Sequence, residues 1–199
     1  MFDNQMRRVK ERVFVPLAAP FRRLPTWLLS LIGLLWGVAA AAALARQAYA
    51  WALAFWFLNR VFDGLDGTVA RLNGTQTDFG GYLDILIDFA VYAMIPIGLV
   101  LGRLTPPHLL SLVALLAVYY VNAASWMYLA AILEKQARGD AGKMTTVTMP
   151  AGIIGGTETI IFYTLFILFP GWLFWLFNLM TVLVLFTIGQ RLVWAARKL

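Results

Sequence analysis

The chain reads as an all-α polytopic membrane protein: six transmembrane helices preceded by an amphipathic cytoplasmic segment. Three observations predict this. Of 199 residues, 61% are hydrophobic and only 13% charged, and the mean hydropathy of +0.76 lies beyond that of an ordinary soluble domain. The apolar residues run in long unbroken stretches, not in the roughly ten-residue alternating segments of a membrane barrel. Six stretches reach the roughly 20 residues that cross a bilayer: residues 26 to 45, 48 to 70, 80 to 102, 108 to 133, 148 to 169 and 172 to 194.

Residues 1–25 carry Arg7, Arg8, Lys10, Arg12, Arg22 and Arg23, with no apolar run before Trp27. That is not the pattern of a cleaved signal peptide. It predicts a basic segment on the inner leaflet, with Phe14, Val15, Leu17 and Phe21 as its buried side. Residues 26–199 have no linker or convincing repeat and form one six-helix domain. Trp27, Trp51 and Trp172 fall near span ends, where interfacial aromatic anchors belong.

The positive-inside rule sets the orientation. With the N-terminus inside, Arg71, then Lys135, Arg138 and Lys143, then Arg197 and Lys198 share the cytoplasmic side, and only Arg46 and Arg103 face out. Both termini are therefore expected in the cytoplasm of a bacterial inner membrane. The net charge of +6 fits a surface attracted to anionic lipid and needs no nucleic-acid partner.

There are no cysteines and a single histidine, His108, so thiolate and imidazole clusters are excluded. Carboxylates are the remaining chemistry. Five of the ten acidic residues, Asp63, Asp66, Asp78, Asp84 and Asp88, fall in one otherwise apolar stretch. A charge at mid-bilayer costs about 2.5–3.5 kcal/mol on insertion scales, so such acids imply a cation, a water-filled cleft or both. Asp63, Asp66, Gly67 and Ala70 recur at i, i+3, i+4, i+7, and Gly80, Asp84 and Asp88 at i, i+4, i+8. Each set lines one helical face. Two helices meeting along those faces would gather four carboxylates, hard oxygen ligands suited to Mg2+ or Mn2+.

Asp78 and Thr77 are expected to cap the third span. Arg60, one turn before Asp63, is expected to pair with a motif carboxylate or a lipid phosphate. Glu158, the only acid of the fifth span and flanked by glycines and threonines, reads as a buried acid and an acceptor contact, with helix–helix hydrogen bonding as the alternative. Arg191, near the end of the sixth span, is a second candidate acceptor contact.

The pattern D-x2-D-G-x2-A-R-x8-G-x3-D-x3-D, filled by Asp63, Asp66, Gly67, Ala70, Arg71, Gly80, Asp84 and Asp88, resembles the signature of the CDP-alcohol phosphotransferase family. The basic arm, the first span, the segment Leu58 to Arg60 and the six spans extend the resemblance over most of the chain. The resemblance implies transfer of a phosphatidyl group from a CDP-linked donor, CDP-diacylglycerol, to an alcohol, with release of CMP in phospholipid biosynthesis. It implies two divalent ions, Mg2+ or Mn2+, held by Asp63, Asp66, Asp84 and Asp88, with Asp88 also the catalytic base. Asp66, Gly67, Ala70, Arg71 and Gly80 would contact the CDP moiety. It further implies a homodimer among membrane lipids. Transfer from CDP-choline or CDP-ethanolamine to diacylglycerol is the alternative within the family. Outside it, a divalent-cation transporter is the rival explanation of intramembrane aspartates.

Overall fold

A computed structural model of the protein describes residues 14–139 and 152–199; Arg7, Arg8, Lys10, Arg12, Lys143 and the first residues of the expected fifth span lie outside this range. Among the described residues, a short helical segment at 14–18 precedes six α-helices, α1 (Thr26–Ala45), α2 (Tyr49–Asn73), α3 (Asp78–Gly102), α4 (Pro106–Gly139), α5 (Gly156–Leu168) and α6 (Leu173–Lys198), with 3-10 turns at Ala19–Phe21 and Pro170–Trp172. No strand occurs among the described residues. The chain divides into two compact units, Met1–Arg103 and Leu104–Leu199.

Four of the helices, α1, α3, α4 and the helical stretch that contains α6, are long and apolar enough to cross a membrane. Among the described residues the expected count of six is not reached on these criteria, for two physical reasons. Arg60, Asp63 and Asp66 interrupt the apolar run of α2. Helix α5 has only 13 residues, about 20 Å at 1.5 Å per residue, against a hydrocarbon core of about 30 Å. The fourth helix is longer than expected and runs to Gly139, into what reads in the sequence as an inner loop.

In the first unit, α1 packs on both α2 and α3, whereas α2 and α3 make little close backbone contact with each other. Small residues allow the α1–α3 approach: a Cβ on Gly98 would lie 2.5 Å from the carbonyl oxygen of Ala41. Buried Asn59 of α2 donates through Nδ2 to the Gly33 carbonyl of α1 at 2.8 Å, an interhelical bond that needs no water. Helix α2 ends at Gly74, whose φ of 63° provides the left-handed cap. The chain then runs to Thr77, whose Oγ1 accepts the Gly80 amide at 3.0 Å and starts α3. Thr77 is thus the cap, while Asp78, expected to cap with it, is the acid of the first turn.

The described part of the N-terminal arm lies against this unit. Ala18 is buried with Leu29, Leu65 and Val69, and Phe14, Phe21 and Leu24 pack on that cluster. Val15 and Leu17 are exposed, so the arm's protein-facing side is Phe14, Ala18 and Phe21. Asn73 and Arg22 tie the arm to the end of α2: Arg22 Nε donates to Asn73 Oδ1 at 3.2 Å, and Asn73 Nδ2 to the Arg22 carbonyl at 2.7 Å.

In the second unit, α6 packs against α4 and α5. Phe166 and Phe177 meet edge to face at 4.8 Å, beside buried Tyr163. The Ile154 amide donates to Thr187 Oγ1 at 2.9 Å, fixing the segment that leads into α5.

Candidate active site

Helical spacing decides which motif residues share a face, and the packing of α2 and α3 through α1 decides what that face opens onto. A cavity of about 180 Å³ is lined by Asp66, Gly67, Ala70 and Arg71 of α2 and by Gly80 and Asp84 of α3. Six of the eight motif positions therefore converge on one space. The α1 residues Thr26, Trp27 and Ser30 and the turn residues Thr75, Gln76 and Thr77 complete it.

The glycines decide between close packing and access. A Cβ on Gly67 would meet only Arg71 Nη1, at 3.3 Å, and one on Gly80 only Thr77 Oγ1, at 3.2 Å. Neither faces a packed helix. Their missing side chains keep the cavity wall low and let a ligand approach the backbone. Arg71, exposed at the end of α2, places a guanidinium at the same wall and donates to Thr68 Oγ1 at 3.2 Å.

Asp66 is buried, and the charge needs partners. Ser30 Oγ donates to its Oδ2 at 2.5 Å and the Gly67 amide to its Oδ1 at 2.5 Å. The sequence reasoning passes over Ser30. Its signal is a hydroxyl one turn inside the apolar run of the first span, where a polar group requires a partner.

Asp63 and Asp88 do not line this cavity. Arg60 Nη2 binds Asp88 Oδ1 at 3.0 Å, and Arg60 Nη1 lies 3.8 Å from Asp63 Oδ2. The four carboxylates, expected around one point, are thus divided between the cavity, which has Asp66 and Asp84, and a guanidinium, which joins Asp63 to Asp88. Among the described residues no three acidic or histidine side chains stand close enough to form a ready metal site. The donor set, all carboxylate and hydroxyl oxygen, is of the right chemistry for Mg2+ or Mn2+.

Glu158 is not a buried mid-span acid. Helix α5 begins at Gly156, so Glu158 stands in its first turn and its Oε2 accepts the Gly155 amide at 3.0 Å. It is half of a capping box, favoured there by the helix dipole. Arg191 is buried and donates to the carbonyl and Oδ1 of Asn122, at 3.3 and 3.0 Å, and to Ser125 Oγ at 3.4 Å.

The comparisons with known proteins agree with the motif. The chain is 37% identical over 147 residues to the inner membrane protein YnjF of Escherichia coli K12, a match covering 72% of this chain and 69% of that one. It is 36% identical over 122 residues to an archaetidylinositol phosphate synthase of Methanothermobacter thermautotrophicus, covering 60% and 62% of the two chains. Its fold is similar to that of the Mycobacterium tuberculosis phosphatidylinositol phosphate synthase PgsA1, crystallised with CDP-DAG bound. The TM-score is 0.67 at 22% identity, over 91% of this chain and 92% of that one. The family profile described as CDP-alcohol phosphatidyltransferase matches residues 22–189. The chain therefore belongs to the CDP-alcohol phosphatidyltransferase family.

Proposed function

We propose that the protein is an inner-membrane phosphatidyltransferase of six spans with both termini and the site on the cytoplasmic side. It transfers the phosphatidyl group of CDP-diacylglycerol to an alcohol and releases CMP. The observation that carries this reading is the cavity in which two carboxylates, two uncrowded glycines and one guanidinium meet. The cavity is smaller than the roughly 300–1,000 Å³ of a site that encloses a drug-sized ligand. It suits a diphosphate, with the cytidine lying beyond it and the acyl chains in the bilayer.

In the reaction, an acceptor hydroxyl attacks the phosphorus distal to cytidine, the pyrophosphate P–O bond breaks, and CMP departs with the bonding electrons. Two divalent ions on Asp63, Asp66, Asp84 and Asp88 would supply charge neutralisation of the diphosphate and of the leaving phosphate. Asp66 is steadied for this by Ser30 and the Gly67 amide. Arg71 meets a phosphate or the cytosine, and Gly67, Ala70 and Gly80 leave room for the nucleotide. Asp88 takes the acceptor proton. The assembly is assigned to a homodimer.

The test is incubation of purified protein with labelled CDP-diacylglycerol, Mg2+ or Mn2+ and a panel of alcohols and phosphorylated alcohols. Metal-dependent CMP release with formation of a new phospholipid is expected. Absence of CMP release with every acceptor, alongside uptake of metal into proteoliposomes, would favour a transporter instead.

A further inference from the structure

Arg60 is more elaborately held than a charge pair requires. Its side chain is 10% exposed. Nε donates to Asn59 Oδ1 at 2.8 Å, Nη1 to the Tyr92 hydroxyl at 3.0 Å and Nη2 to Asp88 Oδ1 at 3.0 Å. The guanidinium carbon lies 4.8 Å from the ring centre of Trp56 and 5.1 Å from that of Tyr92, which adds cation–π attraction at a desolvated site. Asn59 is in turn fixed to the Gly33 carbonyl. The cation is thus anchored to all three helices of the unit.

We infer that Arg60 is the resident counter-ion and a positioning residue of the carboxylate set: it orients Asp88, steadies Asp63, and competes with divalent ions for both. The inference rests on the phosphatidyltransferase reading of the site. Its physical content is Coulombic. A fixed positive charge within a few ångströms of two ligand carboxylates opposes the entry of a divalent cation and weakens each ligand's share in holding it. The same charge holds Asp63 and Asp88 to one guanidinium before metal and substrate arrive. A merely structural Arg60 would predict weaker metal binding on its removal, because the ligands would lose their support. The counter-ion predicts the opposite sign.

The test uses the full-length protein in detergent. Mn2+ affinity is measured by electron paramagnetic resonance, metal-free thermal stability by unfolding, and turnover by CMP release. Arg60→Gln is expected to bind Mn2+ more tightly, on the order of tenfold, while losing metal-free stability and turnover. Arg60→Lys keeps the charge but not the planar fork, so its Mn2+ affinity should return towards wild type while turnover stays low. In metal-free protein the stability losses of Arg60→Gln and Asp88→Asn should combine to less than their sum, because each removes the same pair.

Unchanged or weaker Mn2+ binding in Arg60→Gln overturns the inference while leaving the transferase reading intact. Wild-type protein that neither binds Mn2+ nor releases CMP brings down both. Should Arg60→Gln fail to fold, Arg60→Lys decides: Mn2+ affinity well below wild type would show that geometry, and not charge, is what Arg60 contributes.

Discussion

The hydroxyl of Ser30 on α1 donates to the buried carboxylate of Asp66 on α2 at 2.5 Å. Hydrogen bonds to charged groups are worth about 1.5–3 kcal/mol, and the penalty for stranding a buried partner is of similar size. Ser30→Ala should therefore fold, since a hydroxyl is replaced by a small apolar group in an apolar helix. It should lower CMP release by roughly ten- to a hundred-fold, as a loss of that size in the transition state implies. Steady-state assays at saturating metal check this. Activity within about twofold of wild type would show that Asp66 needs no support from α1.

Asp66 and Asp84 are the two carboxylates that line the cavity, and both are proposed to face the cations that hold the diphosphate. Asp66→Asn and Asp84→Asn keep the side-chain volume and remove the charge. Both variants are expected to elute as folded protein in size-exclusion chromatography and to release no detectable CMP. Near-normal turnover in both would refute the carboxylate assignment.

Much of this arrangement is legible in the sequence because helical periodicity is local. Once Asp63 to Ala70 and Gly80 to Asp88 lie on helices, the faces they share follow from the 3.6-residue repeat. The cap at Thr77 is equally local. What spacing does not encode is how helices are rotated against one another. The i, i+3 relation of Arg60 to Asp63 is visible in the chain, but the contact of Arg60 with Asp88, 28 residues away, depends on how α2 and α3 face each other across α1. The same holds for Ser30 and Asp66, 36 residues apart. Glu158 is misread for a different reason: hydrophobicity over residues 148 to 169 hides the point, at Gly155, where the backbone is extended and the helix has yet to begin.

Two glycines of one unit should respond in opposite ways to the same substitution. Gly98 faces the Ala41 carbonyl at a distance no Cβ tolerates, and backbone cannot step aside as a side chain can. Gly98→Ala should cost about 1–3 kcal/mol of stability through overpacking. Gly67 faces only the flexible Arg71 side chain, so Gly67→Ala should preserve or slightly raise stability through helix propensity. Its methyl group would intrude on the cavity and raise KM for the CDP-linked donor roughly tenfold, which corresponds to about 1.4 kcal/mol. Thermal unfolding and KM measured on both variants test the contrast. A stability loss in Gly67→Ala equal to that in Gly98→Ala would make Gly67 a packing residue.

The N-terminal arm has its own seat in the motif helix. A Cβ on Gly64 would lie 2.5 Å from Cε1 of Phe14, so the ring rests on bare backbone between Asp63 and Leu65. Phe14→Ala removes the ring, and Gly64→Leu fills the place it occupies. Each should speed amide hydrogen exchange over residues 14 to 21, by roughly tenfold for about 1.4 kcal/mol of lost docking energy. Exchange in the middle of α1 should stay slow. The two effects should not add, because the contact is already lost in either single variant. Hydrogen-exchange mass spectrometry of both singles and the double measures this directly, and additive acceleration would mean that Phe14 and Gly64 act through separate contacts.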